Sequence, residues 1–509
     1  MFEGSALSEP SSTGRDGARP SKIQTILQRR SFLAQLYMSG LYGEKKGRDG
    51  APSPSAFAAA SGCARWRGGH LIIVPSWTTL QRQKRRNSQP AFPRGLQLLM
   101  KILMLLFGRR QEGTYFRAFP WARVLAAKGH EVTVACTSRN NALRSRVEMD
   151  QGVRILETPS FLDGRWVMAR LSGLYGWSPL SIGLRTLEIL RGHYDVVHTF
   201  EHHLHASAPV YLAGRKHIPA LVADWCDHYG DGGFRDKLYS PYRLAAVYKI
   251  VGQPLRRVMD RLEKNLRLRA DALTVISSFF RDRALTMGVS PEKIFLIPGS
   301  ADVAQVRPIA QLEARKRLNI DPQARVLAFL GAGQFDVEFS LEAFRSVLQK
   351  EPNSLYLILG PSDEQVRKKI MELNIADRVI QTGWIQEADL PNYLGCADVG
   401  LIAMRDHPVN RARWPNKIGS YMAAGRPTVC TRVSDVARLI ESHGIGLVSN
   451  IDTEDFAQKI LQILQNPSLR DQMGARARQL AESDFMLETQ VDELERLYRT
   501  LRERMEHAA

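Results

Sequence analysis

Three short segments gather residues whose types and spacing could do chemistry. The first, RARWPNKIGSYMAAGRP, brings together Arg411, Arg413 and Lys417. Asn416 is a suitable N-cap, Pro415 a boundary residue, and Gly425 with Pro427 a stop signal, so a short helix is predicted over Lys417 to Ala424. A helix amino end already carries about half a positive charge, and a lysine there costs stability unless an anion compensates. Phosphate is the anion such a site suits, and a solvated basic cluster is the plainer alternative. The second segment, HTFEHHLH, holds His198, His202, His203 and His205. His198 and His202 are four apart, as in some zinc sites, but HExxH is absent and the apolar run before His198 argues for a strand end. Structural histidines, or a residue facing a ligand cleft, fit better. The third, DWCDHYGDGG, carries Asp224, Asp227 and Asp231 on a predicted loop. That spacing fits no standard calcium loop, so a polar substrate-side loop is expected. Gly113 and Thr114 after one strand, and Gly331 after another, would let a substrate approach the backbone closely.

The elements that must position these residues alternate between strand and helix from Met100 onward. MKILMLLF, EVTVAC, DVVHTF, ALVADW, ALTVIS and KIFLIPG read as one strand series. VLAFLG, LYLILG, VIQTG, VGLIAM, PTVC and GLVS read as a second. These are continuous apolar runs rather than alternating ones, as expected for parallel strands covered on both faces. The prediction is α/β: two doubly wound Rossmann-like domains, residues 100–308 and 309–485, facing across a cleft. A final amphipathic stretch, 486–509, is expected to pack back across their junction. Open parallel sheets bind ligands at the carboxyl ends of their strands, so the site is sought between the domains.

Composition excludes several classes. The net charge of +18 suggests nucleic acid, yet residues 1–99 alone hold 15 Lys/Arg against 5 Asp/Glu. That region is rich in Ser, Gly, Arg and Pro without periodicity, and is expected to be a disordered basic extension, or an upstream translated segment before a start at Met100. With no recognisable nucleic-acid module, no nucleic-acid partner is expected. The run Leu98–Phe107 is about half the roughly 20 residues a membrane span needs, and Lys101 interrupts it. The five cysteines are scattered without a CxxC pair, which suits a reducing cytoplasm. FLGAGQFD lacks the third glycine of a dinucleotide fingerprint, because Asp336 stands there. The basic, apolar stretch from Arg243 to Asp271 reads as a solvated helix and leaves peripheral membrane contact open.

PNKIGSYMAAGRPTV, preceded by CADVGLIAM and followed by DVARLIESHGIGLV, resembles the donor-binding region of family 4 glycosyltransferases of the GT-B fold. GTYFRAFPWARVLAAKGHEVTVAC, YDVVHTFEHH and ADALTVISSFFRDRALTMGVSPEKIFLIPG resemble the family's first loop and helix, central strand and interdomain approach. The resemblance covers roughly residues 100–505. It implies transfer of a sugar from a nucleotide-diphosphate sugar with retention, without metal or other cofactor, to a glycan, lipid-linked or small-molecule acceptor. On this reading His202, Lys417 and Arg411 are catalytic, while Gly113, Thr114, Asp224, Gly331, Arg413, Asn416 and Ser420 bind substrate. Two departures stand out. The family's usual acidic pair falls on Ala412 and Ser420, and the loop GAGQFDVEFS lacks the Arg and Lys that commonly bind diphosphate. A non-catalytic GT-B binding or scaffold protein would explain the lost acidic pair, and a sugar-nucleotide epimerase would share the fold.

Overall fold

In a computed structural model of the chain, the described residues are 64–67, 70–73, 99–138, 144–159, 178–201, 203–229, 233, 253–331 and 336–508. Ala64–Arg67 (β1) and His70–Ile73 (β2) pair as an antiparallel hairpin. Apart from this hairpin and Leu99, the extension expected over residues 1–99 lies outside the described residues.

From Met100 the chain builds two sheets. The first comprises β3 (Lys101–Arg109), β4 (Glu131–Thr137), β5 (Arg146–Asp150), β6 (Val153–Thr158), β7 (Val196–Phe200), β8 (Ala220–Trp225), β9 (Ala272–Val275) and β10 (Ile294–Leu296). Their order is β10-β9-β8-β7-β3-β4-β6-β5, parallel throughout except for β5. Every residue of β7 and β8 is buried, which is why their sequences do not alternate. The second sheet is wholly parallel, in the order β13-β12-β11-β14-β15-β16. Its strands are β11 (Arg325–Leu330), β12 (Ser354–Leu359), β13 (Val379–Gln381), β14 (Val399–Ile402), β15 (Thr428–Thr431) and β16 (Gly446–Ser449).

In each sheet the first strand lies inside, so strand order reverses at β3 and at β11. A crevice forms beyond the carboxyl end of such a reversal. The helices that bear on these two places are α1 (Tyr115–Ala127), α2 (Leu204–Ala213), α3 (Ser278–Met287), α4 (Val337–Lys350), α5 (Pro408–Ala412), α6 (Lys417–Ala423), α7 (Asp435–His443) and α8 (Leu487–Ala508).

The last helix leaves the second domain and joins the core of the first. Leu487, Val491, Leu494, Leu497, Tyr498 and Leu501 recur at helical spacing and pack with Trp121, Val196, Phe200 and Val222. Polar bonds tie the domains as well. The Ser277 hydroxyl donates to the Ala412 carbonyl at 2.5 Å. Asp435, at the start of α7, accepts the Ser278 backbone N–H at 2.6 Å and its hydroxyl at 2.8 Å, and so caps α3 across the junction. Among the described residues no helix is long and apolar enough to cross a membrane.

Of the strands in the two large sheets, the sequence reading named all but β5 and β6, and it named neither β1 nor β2. β5 is an antiparallel edge strand whose Val147 and Met149 are exposed, so its apolar residues face water and give no core signal.

Candidate active site

Beyond β11 the chain turns at Gly331, which has φ +128. Other residues rarely adopt that backbone conformation, and a β-carbon there would lie in ordinary contact with the Lys417 ammonium, at 3.7 Å. Asp336 then opens α4 with φ +58, and its carboxylate accepts the Asn410 side-chain amide at 2.8 Å. Arg413 lies 3.7 Å from the same carboxylate oxygen.

Helix α6 brings Lys417 to this group and is held from two sides. Gly419 sits against the Ser300 carbonyl so closely that a β-carbon would come within 2.2 Å of it. The Tyr421 hydroxyl receives the Leu330 N–H and donates to the Ala328 carbonyl, both at 2.9 Å, which pins the helix to β11. Lys417 Nζ consequently lies 3.6 Å from the centre of the Phe329 ring, beside Arg413. Burial, then the neighbouring guanidinium, push its pKa down to about 7, against the opposing pull of Asp336.

Asn416 occupies the N-cap position of α6 but does not cap it with its side chain. Its backbone is helical, at φ −57 and ψ −24, whereas a capping side chain needs an extended residue. The first-turn donors are also used locally, Ile418 N–H bonding to the Pro415 carbonyl and Gly419 N–H to that of Asn416. The helix end is therefore a poorer anion site than expected, and charged side chains must supply most of the attraction. Arg411 departs too: it is exposed and holds Asp406 with bonds of 2.5 and 2.6 Å, while Arg413 is the one beside Asp336. Ser420 is half-buried one turn after Lys417, and Ala412 is buried in the domain junction.

The facing half comes from the first sheet. Gly113 has φ +53 and open space where a β-carbon would be. The Thr114 hydroxyl is buried and has no hydrogen-bond partner among the described residues. Asp224, expected on a substrate loop, instead ends strand β8 with no exposure. Arg117 grips it with three bonds of 2.9 to 3.2 Å, and the Thr274 hydroxyl donates at 2.6 Å. Its carboxylate is committed to the fold. Thr274 in turn contacts His198 at 3.3 Å, and His198 Nδ1 meets the Tyr498 hydroxyl at 2.6 Å. Burial pushes the His198 pKa down to about 3, so it stays neutral as a core residue.

The other described histidines are structural as well. His203 stacks on Phe107 at 3.9 Å between ring centres, and His205 Nε2 accepts the Ser178 N–H at 3.1 Å. His202 and Asp231 lie outside the described residues. Sequence reasoning had named Asp227 without singling it out and had passed over Glu201 and Cys226. Their ligand atoms lie within 4.8 Å of one another at the ends of β7 and β8. Asn410 was missed as well, since only the fold brings it to Asp336.

Two doubly wound domains, a second-domain cation pair beside a glycine turn and a long helix returning to the first domain define a GT-B glycosyltransferase fold. Residues 324–466 match the family described as glycosyl transferases group 1, and residues 113–299 match the glycosyl transferase 4-like domain. The chain belongs to this family 4 type of glycosyltransferase. It is similar to a D-inositol 3-phosphate glycosyltransferase of Actinosynnema mirum, with 24% identity across 70% of this chain and 84% of the relative. It is 26% identical to an alpha-D-kanosaminyltransferase of Streptomyces kanamyceticus over 37% of this chain and 49% of that protein. Against a Bacillus subtilis protein named for teichuronic acid biosynthesis, TuaH, identity is 24% over 41% and 52%. The chain thus spans about half the length of these last two relatives. Among solved structures, sucrose-phosphate synthase from Thermosynechococcus elongatus superimposes with a TM-score of 0.62 at 19% identity, covering 79% of this chain and 99% of that one. Anabaena HepE in complex with UDP-glucose gives 0.57 at 14%, covering 79% and 100%.

Proposed function

We propose that this chain transfers a sugar from a nucleoside-diphosphate sugar to a hydroxyl of a glycan, lipid-linked or small-molecule acceptor, with retention at the anomeric carbon. The observation that carries the reading is Lys417 with Arg413 at the strand-reversal crevice of the second domain, beside Gly331, whose left-handed backbone favours glycine. In the reaction the bond from the anomeric carbon to the diphosphate oxygen breaks and its electron pair stays on the phosphate. The acceptor oxygen forms the new bond on the same face and gives its proton to the leaving phosphate. Arg413 and Lys417 meet the charge that develops there, the electrostatic work a divalent ion performs elsewhere. The named relatives act on sugars, and HepE was solved with UDP-glucose, which supports a nucleotide-sugar donor here.

Replacing Lys417 with Met tests the reading. Donor affinity should fall by about 1.5–3 kcal/mol, the range for a hydrogen bond to a charged group, while the melting temperature without ligand should stay or rise. A variant that binds every nucleotide sugar in a UDP, GDP and dTDP panel as wild type does overturns it. Chelator should leave transfer unchanged, since the cations are the protein's own. One observation favours a second reading: Ala412 and Ser420 carry no carboxylates. A GT-B scaffold would bind nucleotide sugar yet neither hydrolyse nor transfer it.

A further inference from the structure

Glu201 and Asp227 take no part in the phosphate site, yet they stand side by side where β7 and β8 end. Glu201 has φ +61, a left-handed conformation that a glutamate adopts only where its surroundings hold it, and such strain gathers at functional sites. It is buried, and its Oε1 accepts the Cys226 thiol at 2.7 Å. Asp227 is half-buried. Its backbone carbonyl takes the Trp225 indole N–H at 3.2 Å, but its carboxylate has no hydrogen-bond partner among the described residues.

Two carboxyl groups this close do not both ionise. Burial and the Asp227 charge push the Glu201 pKa well up, while burial raises that of Asp227 only to about 6, with Arg413 opposing the rise. Of the two, Glu201 keeps its proton more tightly and Asp227 ionises more readily. Strand β8 runs beside β9 to the Trp225–Val275 pair, and just beyond β9 Ser277 bonds to the Ala412 carbonyl, so Asp227 lies at the end of the first sheet that meets the segment carrying Arg413, the guanidinium assigned above to the leaving diphosphate. A phosphate would be repelled by this carboxylate. Hydroxyl groups would be attracted, and an ionised carboxylate can accept several of their hydrogen bonds.

We infer that Asp227 binds the hydroxyls of the sugar carried on the nucleotide, reaching from the first domain to do what the carboxylates absent at positions 412 and 420 cannot. This assignment rests on the glycosyltransferase reading and extends it to the part of the donor that distinguishes one nucleotide sugar from another. Glu201 stands beside Asp227 as a positioning residue, and Cys226 holds Glu201.

The test compares a nucleoside diphosphate with its own sugar: UDP with UDP-glucose, GDP with GDP-mannose and dTDP with dTDP-glucose, each titrated against the full chain. For Asp227→Ala, affinity for the nucleoside diphosphate should hold or rise, since a repelling charge is gone, and affinity for the nucleotide sugar should fall about 10- to 100-fold. Retained diphosphate binding also reports an intact fold. If Asp227→Ala does not fold, Asp227→Asn keeps the shape and should show the same asymmetry. A variant that binds nucleotide sugar as wild type does overturns the assignment while leaving the glycosyltransferase reading standing. If no nucleotide binds the wild type, that reading fails and this one with it. If zinc or manganese ions raise the melting temperature of wild type but not of Asp227→Ala, the three side chains form a cation site and the hydroxyl assignment is overturned.

Discussion

Lys417 is poised where its charge depends on what it meets. Burial and Arg413 bring its pKa from 10.5 to about 7, and a bound diphosphate would raise it again. The charged form binds phosphate, so nucleotide-sugar affinity should be flat below about pH 7. Above it, affinity should fall up to about tenfold per pH unit, because one proton is taken up on binding. Lys417→Arg, which cannot deprotonate, should remove that dependence if its bulk is accepted. In the unliganded protein the unfolded chain holds this proton more tightly than the folded one. Lys417 therefore costs stability fully below pH 7, and the cost fades as pH climbs from 7 towards 10.5. A titration calorimetry series from pH 6 to 9 checks the first expectation and melting curves over the same range the second. The lysine's oddity was legible in the sequence because helix charge preference is local. Its partner Asp336 was not, since Asp336 reaches Asn410 across 74 residues of chain. Asp224 was misplaced for a related reason: in a strand buried on both faces, no alternation says which side chain stays inside.

At the scale of elements, the proposed phosphate site depends on α6 more than on any hydrogen bond Lys417 makes. Seven residues give little intrinsic helical stability, so tertiary contact must fix this helix. Gly419 against Ser300 is that contact. Gly419→Ala would force a β-carbon into a backbone oxygen 2.2 Å away, and neither backbone can yield without moving the helix. The expected loss is about 1–3 kcal/mol of stability, the usual cost of overpacking. Nucleotide affinity should fall as well, because Lys417 and the Tyr421 anchor travel with the helix. Denaturant melts with and without the best nucleotide of the panel would read both effects, and a variant as stable as wild type would show that the contact is loose. The limits of α6 were readable from Asn416, Gly425 and Pro427, but its docking was not. A glycine inside a helix shows only that something could approach, not that Ser300 does.

For the molecule as a whole, α8 decides whether the two domains behave as one. It follows the second domain in sequence yet completes the core of the first, where Leu494 and Tyr498 are fully buried. Tyr498 also joins His198, Thr274, Asp224 and Arg117, so the same helix closes the polar network behind β7 and β8. Near its start, Phe485 stacks on Trp414, between Arg413 and Lys417 in sequence. Leu494→Ala should cost about 2–5 kcal/mol, the span for a leucine removed from a packed core. None of the residues proposed to contact nucleotide lies in that core, so the affinity of the folded protein should not change. The coupling is read from the melt. With α8, the Ser277 bond to Ala412 and the Asp435 cap all crossing the junction, unfolding should remain a single transition. Nucleotide at 100 times its dissociation constant should then restore about 2.7 kcal/mol to the variant, as it adds to wild type. If the variant instead melts in two steps, with nucleotide protecting only the upper one, the second domain stands alone and α8 serves the first domain only.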